Sequence, residues 1–178
     1  MKKLALFTCC LLALSTSPAP AQSANPVTDS LKGVFGTVKG YITKSAEQVT
    51  EENYAFKPTP AVRSMGALFG HIADANFMFC SIASGAANPM QGTSIEKTKT
   101  SKADLQKALA ESFAYCDAQI ASMTDAKGST EMVDLFGNKH PRLGVLALNN
   151  AHDFEHYGNL VTYMRLKGMV PPSTQGGM

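Results

Sequence analysis

Two histidines placed four residues apart are the feature of this sequence that points most directly to chemistry. On a helix, His152 and His156 project from one face, with Cβ atoms roughly 6 Å apart. That separation lets two imidazoles reach one ion through bonds of about 2.1 Å. His71 lies on another predicted helix and supplies a third ligand if the two helices face each other. The spacing therefore predicts a mononuclear three-histidine site for a divalent transition metal.

Three neutral imidazole nitrogens leave coordination positions open for water or a substrate, as in catalytic rather than closed structural sites. Imidazole suits zinc, nickel, iron and copper alike, so the ligands do not select the metal. The remaining histidine, His140, precedes His152 by twelve residues, which is about 18 Å along a helix. We therefore interpret His140 as a surface or capping residue outside the site.

Two related metal motifs fit less well. The segment from His152 to His156 is similar to the His-Glu-x-x-His motif of metalloproteases, but Asp153 replaces the glutamate that acts as general base. A di-iron bundle needs paired glutamates and two Glu-x-x-His sequences, and only one aspartate version occurs here. Asp74, one turn beyond His71, and Asp153 are candidates for orienting the imidazoles by hydrogen bonds. The alternative is that both are exposed helix charges.

Four helices are predicted to position these residues. Apolar residues recur at three- and four-residue steps, which is the period of an amphipathic helix. The predicted helices run from Leu31 to about Val49, from an N-cap at Ser64 to Gly85, from Ser101 to about Met123, and from Pro141 to about Lys167. The last helix is apolar on two faces, so we expect it to lie centrally.

The connections between these helices carry little strand pattern. Residues 86–100 and 125–139 are predicted to be loops, the second with a short strand or turn. Because four helices and almost no strand remain, the pattern predicts an all-α protein with the architecture of a four-helix bundle.

The N-terminus has the pattern of a secretory signal peptide. Two lysines precede an apolar run from Leu4 to Leu14, and Ala19-Pro20-Ala21 forms a small-x-small cleavage site. The run is shorter than the roughly 20 residues of a permanent membrane anchor. We expect residues 1–21 to be removed and residues 22–178 to form a single secreted or periplasmic domain without a stable membrane anchor.

Composition and charge exclude several classes of protein. The 178 residues are 44% hydrophobic and 17% charged, which is ordinary for a globular chain. Basic residues are not clustered and tryptophan is absent, so no nucleic-acid partner is expected. Cys80 and Cys116 remain after the predicted cleavage. Their spacing leaves open whether they form a disulfide or two buried thiols.

The segments around the three histidines resemble those of the DinB family, also described as DinB/YfiT-like proteins. One is Glu52-Asn53-Tyr54-Ala55-Phe56-Lys57-Pro58-Thr59-Pro60, continued by Arg63-Ser64, Leu68 and His71. The other is His152-Asp153-Phe154-Glu155-His156-Tyr157-Gly158-Asn159-Leu160, continued by Tyr163-Met164-Arg165, Gly168 and Pro171-Pro172. The resemblance covers nearly all of the chain from about Ser30 to Pro172. One departure is Asn159, where the family often has glutamine after the glycine.

This resemblance implies a four-helix bundle, often a homodimer, with a divalent metal held by His71, His152 and His156. Members of the family include thiol-dependent transferases, hydrolases and isomerases, so the resemblance implies a small-molecule substrate without selecting the reaction. The leading hypothesis is an exported metal-dependent enzyme of transferase or hydrolase type. The alternatives are a non-catalytic metal- or partner-binding bundle of the cell envelope and a metal-free bundle with hydrogen-bonded core histidines.

Overall fold

The computed structural model describes residues 23–175, so the predicted signal peptide lies outside the described residues. In chain order the helices and strands are α1 (Pro26–Gln48), α2 (Met65–Ser84), α3 (Ile95–Thr98), α4 (Lys102–Ala121), α5 (Asp125–Thr130), β1 (Met132–Leu135), β2 (Asn138–Pro141) and α6 (Arg142–Leu166). Single 3-10 turns at Glu51–Ala55 and Pro172–Thr174 complete the regular structure of this part of the chain.

The four long helices form the predicted bundle. Helix α1 packs against α4 and α6, and α2 packs against the same two helices, so the four enclose one apolar core. This confirms the all-α four-helix prediction. The most buried of the four long helices is α2, in which Phe69 and Ile72 are fully inaccessible to solvent. Helix α6 keeps part of its second apolar face at the surface, where Leu148 and Phe154 are exposed.

Local sequence explains where α2 begins and ends. The Ser64 hydroxyl accepts a hydrogen bond from the backbone N–H of Ala67 at 3.1 Å, which caps the first turn. Gly85 ends the helix at φ 78°, a left-handed conformation that glycine adopts without steric cost. Both predicted boundaries are confirmed. Helix α1, by contrast, begins at Pro26, ahead of the predicted Leu31, because proline suits the first helical position.

The two segments predicted to be loops contain regular structure. Helix α3 lies within residues 86–100, and α5 and the antiparallel β1–β2 hairpin occupy most of residues 125–141. Pro141 ends β2 and precedes α6, so α6 begins one residue later than predicted. His140 lies in β2 opposite Val133 and does not cap α6.

A disulfide joins two of the long helices. Cys80 of α2 is bonded to Cys116 of α4, with Cα atoms 5.3 Å apart, and both residues are fully buried. The structure thus selects the disulfide from the two alternatives that the sequence left open. Within residues 23–175, every helix is too short or too polar to span a membrane.

Candidate metal centre

The packing of α2 against α6 brings the three predicted histidines together. Nε2 of His152 lies 3.2 Å from Nε2 of His71 and 3.1 Å from Nε2 of His156. One ring nitrogen from each of the three residues lies within 4.8 Å of the others. These residues are named the histidine cluster below. The cluster is positioned to bind one metal ion.

The nitrogen separations match those of ligands on a common cation. Two bonds of about 2.1 Å that meet at about 90–110° place their nitrogens roughly 3.0–3.4 Å apart. The observed separations of 3.2 Å and 3.1 Å fall inside this range. The rings of His71 and His152 are each nearly perpendicular to the ring of His156, at 85° and 82°, so the nitrogens converge without ring stacking.

Hydrogen bonding between the imidazoles does not account for both short contacts. Each Nε2 atom carries either one proton or one in-plane lone pair, so it forms one good hydrogen bond. Nε2 of His152 faces the nitrogens of both His71 and His156. Only one of these contacts can be a normal hydrogen bond, whereas a cation engages all three lone pairs. This geometry disfavours the metal-free alternative.

Burial keeps the histidine cluster in the neutral, ligating form. Burial and the nearby His71 lower the pKa of His152 to about 4. Burial and the neighbouring His152 and His71 lower the pKa of His156 to about 3. The pKa of His71 is lowered mainly by burial and then by the positive charge of Arg63. All three imidazoles are therefore deprotonated at neutral pH, as metal binding requires.

Glu96 orients His71. Nδ1 of His71 lies 3.2 Å from Oε2 of Glu96, and the other carboxylate oxygen, Oε1, accepts a hydrogen bond from Nε of Arg63 at 2.8 Å. A carboxylate that accepts from Nδ1–H leaves the lone pair on Nε2, which is the atom facing the cluster. The sequence analysis missed Glu96 because it lies in a segment predicted to be a loop.

Asp74 holds the backbone of Glu96 in position. Its carboxylate accepts hydrogen bonds from the backbone N–H groups of Ile95 and Glu96, at 2.8 Å and 3.1 Å, and thus caps α3. Gly70 allows the close approach, because a Cβ atom there would lie 2.7 Å from Cα of Glu96. Asp74 therefore holds the backbone of Glu96. Within residues 23–175 its hydrogen bonds go to α3 and to the residue that precedes it, rather than to an imidazole.

Asp153 directly follows His152 in α6, and its side chain lies in the core. It is fully buried, and neither carboxylate oxygen has a hydrogen-bond partner among the described residues. Burial raises its pKa well above the usual range for aspartate. Nδ1 of His152 also has no partner within residues 23–175. Neither candidate carboxylate, Asp74 or Asp153, is hydrogen-bonded to a cluster imidazole within residues 23–175.

Asn159 lies beside the third histidine. Its side-chain amide nitrogen is 3.5 Å from Nδ1 of His156. A rotation of the amide by half a turn would present the oxygen as an acceptor for Nδ1–H, because the two ends of the amide are nearly equal in shape. Asn159 is therefore in a position to orient His156 in the way that Glu96 orients His71.

A cavity of about 680 Å³ opens beside His156. It is bounded by the segment that precedes α2, the first turn of α2, Glu96 and the last half of α6. Its lining residues are Lys57, Ala61, Val62, Arg63, Ser64, Ala67, Leu68, Glu96, Glu155, His156, Asn159 and Tyr163. The volume suits a small molecule. One residue of the cluster, His156, is thus accessible from this cavity, as an open coordination site requires.

The chain belongs to the DinB superfamily, whose family model matches residues 37–160. This match confirms the family resemblance. The matched residues include all three histidines of the cluster. The match gives the class of protein, a DinB-like helical bundle, and the structure adds three histidines positioned to bind a metal ion.

Individual relatives agree with this classification. The uncharacterized protein YjoA of Bacillus subtilis strain 168 is 29% identical over 126 residues, which cover 69% of this chain and 79% of the relative. The crystal structure of the DinB-like YjoA superimposes with a TM-score of 0.68 over 84% of this chain and 99% of that chain, at 25% identity. A DinB-like protein from Bacillus cereus ATCC 10987 gives a TM-score of 0.69 at 18% identity, covering 81% and 95% of the two chains.

Proposed function

We propose that this protein is an exported metal-dependent enzyme of transferase or hydrolase type, with one divalent cation bound by His71, His152 and His156. The observation that carries the proposal is that Nε2 of His152 lies 3.2 Å from Nε2 of His71 and 3.1 Å from Nε2 of His156, beside an accessible cavity. A cation held there would act as a Lewis acid towards a substrate oxygen or sulfur. Zinc, nickel and iron all suit three imidazole ligands.

The surrounding residues prepare the site for this role. Glu96 fixes the tautomer of His71, and the low pKa values of His152 and His156 keep both imidazoles available as ligands near neutral pH. The cavity gives a small molecule access from the His156 side. A non-catalytic metal site has no need of such a cavity, so its presence favours the enzymatic hypothesis over the non-catalytic one.

Export is supported by two independent features. Residues 1–21 have the pattern of a secretory signal peptide. The described chain contains a buried disulfide between Cys80 and Cys116, and disulfides are typical of oxidising compartments. Expression of the full chain in a bacterial host tests this part of the proposal. We expect a periplasmic product whose mass corresponds to a start at Gln22, and a cytoplasmic product of full mass would contradict it.

Cobalt substitution tests whether the centre is open. Cobalt(II) added to metal-free protein should give a visible spectrum, and azide should change that spectrum if open coordination positions remain. His156→Ala should give no such spectrum, whereas His140→Ala, which alters a histidine in the β-hairpin, should behave as wild type. A cobalt spectrum that azide leaves unchanged would indicate a closed centre and contradict the enzymatic proposal.

Turnover tests the reaction type. Zinc-, nickel- and iron-loaded protein should be assayed with activated esters for hydrolysis and with a low-molecular-weight thiol plus an electrophile for transfer. At least one combination should show turnover that His152→Ala abolishes and that a chelator removes. Equal rates for wild type and His152→Ala throughout would contradict the proposal of an enzyme.

A further inference from the structure

Two cationic side chains lie on the wall of the cavity beside the histidine cluster. Arg63 and Lys57 line the same cavity as His156, together with the carboxylates of Glu96 and Glu155. Arg63 directly precedes the residue that caps α2, and its side chain is 42% exposed. The proposed metal chemistry makes no use of either cation.

The guanidinium of Arg63 is only partly engaged. Its Nε donates to Oε1 of Glu96 at 2.8 Å, and no hydrogen bond within residues 23–175 involves its two terminal nitrogens. The two terminal N–H groups of a guanidinium lie in one plane and match the two oxygens of a carboxylate. The bond to Glu96 holds Arg63 in place, so this donor pair is offered by an anchored side chain rather than a mobile one.

The charge balance of the cavity favours an anionic occupant. Its lining has two cations and two carboxylates, which cancel. A divalent cation on three neutral imidazoles adds positive charge that nothing on the lining offsets, and this charge repels the guanidinium of Arg63. Arg63 lies close to the cluster, because it is bonded to Glu96, whose other oxygen is 3.2 Å from Nδ1 of His71, and because it lines the same cavity as His156. A negatively charged group between Arg63 and the cation would relieve the repulsion.

The cavity also has an apolar portion. Ala61, Val62 and Leu68 line it beside the charged groups. We propose that the cavity binds a small organic acid, with the carboxylate against Arg63 and an apolar body along Val62 and Leu68. This inference rests on the proposed function, because it names the substrate class for the same site. Lys57 adds a second positive charge near the carboxylate.

A pair of isosteric probes tests the assignment. Benzoate and benzamide have nearly the same shape and differ in charge, and each can be titrated into zinc-loaded full-length protein and followed by NMR. Benzoate should bind at least about tenfold more tightly than benzamide to the wild type, because a charged hydrogen bond is stronger than a neutral one. Arg63→Gln should remove that preference. Arg165→Gln, which alters an exposed arginine outside the cavity, should retain it.

Glu96→Gln separates direct anion binding from a purely structural role of Arg63. Glutamine keeps an oxygen that can accept from Nε of Arg63 but lacks the negative charge that partly neutralises the guanidinium, so benzoate affinity at saturating zinc should rise a few fold. A structural role for Arg63 predicts no increase. Equal binding of the two probes to the wild type, an unchanged preference in Arg63→Gln, or no binding of benzoate would each overturn the inference. Tighter, Arg63-dependent binding of inorganic phosphate would overturn the organic-acid class.

Zinc content, measured on every sample, keeps the two proposals distinguishable. Zinc uptake by the wild type without a preference for benzoate would contradict the organic-acid inference and leave the metal centre standing. No zinc uptake by the wild type would contradict the proposed function itself.

Discussion

The same two helices, α2 and α6, carry two groups of buried polar side chains that differ in their chemistry. The histidine cluster lies beside the cavity. The second group, named the core polar residues, consists of Asn76, Asn149 and Asp153, which are all buried in the bundle interior. Nδ2 of Asn149 donates to Oδ1 of Asn76 at 2.9 Å. The other side-chain nitrogen and oxygen atoms of the core polar residues, including both oxygens of Asp153, have no hydrogen-bond partner among the described residues.

Burial disfavours charge in both places, with opposite consequences for metal binding. It lowers the pKa of the histidines, and a neutral imidazole carries the lone pair that a metal needs. It raises the pKa of Asp153, and a neutral carboxylic acid is a poor metal ligand. The comparison explains why the three histidines, and not the neighbouring carboxyl group of Asp153, are the candidate metal ligands.

The largest expected effect concerns the histidine cluster. His152→Ala and His156→Ala should each abolish metal retention, because two imidazoles are left to hold the ion. Circular dichroism should still show a helical protein, since the apolar core is intact. Elemental analysis of protein purified without a histidine tag measures the metal. His140→Ala is the matched control and should retain a full equivalent, and a large loss of metal in that variant would mean that the site is misplaced.

Removal of the disulfide should affect folding rather than metal binding. The Cys80→Ala/Cys116→Ala variant opens a loop closed across 36 residues of sequence separation, which predicts a loss of about 4 kcal/mol in the free energy of unfolding. Urea denaturation measures this loss. A reductant should lower the stability of the wild type and leave that of the variant unchanged. Loss of metal by the variant under native conditions would contradict this prediction, because it would show that the histidine cluster depends on the disulfide.

Glu96→Gln should weaken the metal centre without abolishing it. Carboxylates that orient a ligating histidine contribute roughly 10- to 100-fold in metal affinity. Glu96 is the carboxylate that lies beside Nδ1 of His71. A competition assay with a chromophoric chelator gives the affinity. Glu155→Gln, which removes another carboxylate of the cavity lining, is the control. Equal losses of metal affinity in both variants would mean that the effect comes from the negative charge of the cavity lining rather than from orientation of His71.

Asp153→Asn should stabilise the protein, with the smallest effect of this series. Because the folded-state pKa of Asp153 is raised, its contribution to stability is fully present below about pH 4 and is lost as the pH rises towards the folded-state value. Asparagine does not ionise, so the stability of the variant relative to the wild type should be greater at pH 7 than at pH 4. Urea denaturation at the two pH values measures the difference, and a loss of stability at pH 7 would show that Asp153 is ionised and paired.

Periodicity and spacing predicted most of the fold and the three histidines. The bundle, the Ser64 cap and the Gly85 terminus follow from local patterns that a single sequence contains. The pair His152 and His156 follows from helical spacing alone. His71 joins this pair only if α2 and α6 are neighbours. The sequence pattern did not determine which helices are neighbours, and the structure shows that these two pack together.

The groups around the histidines were much harder to predict. Glu96 reaches His71 through a four-residue helix, α3, which is too short to show periodicity. Asp74 was one of two candidates for orienting an imidazole, but its carboxylate accepts hydrogen bonds from backbone N–H groups of α3 instead. The Ser94 hydroxyl, which caps α3 by accepting from Lys97 N–H, was the available sequence indication. Contacts between segments distant in sequence decide these roles.

Anomalous diffraction from crystals grown with zinc tests the central claim most directly. Data collected at the zinc absorption edge would locate the ion relative to the three imidazoles. The account predicts one anomalous peak, about 2.1 Å from Nε2 of His71, His152 and His156. An absence of anomalous density between these nitrogens, with zinc bound elsewhere or not at all, would contradict it.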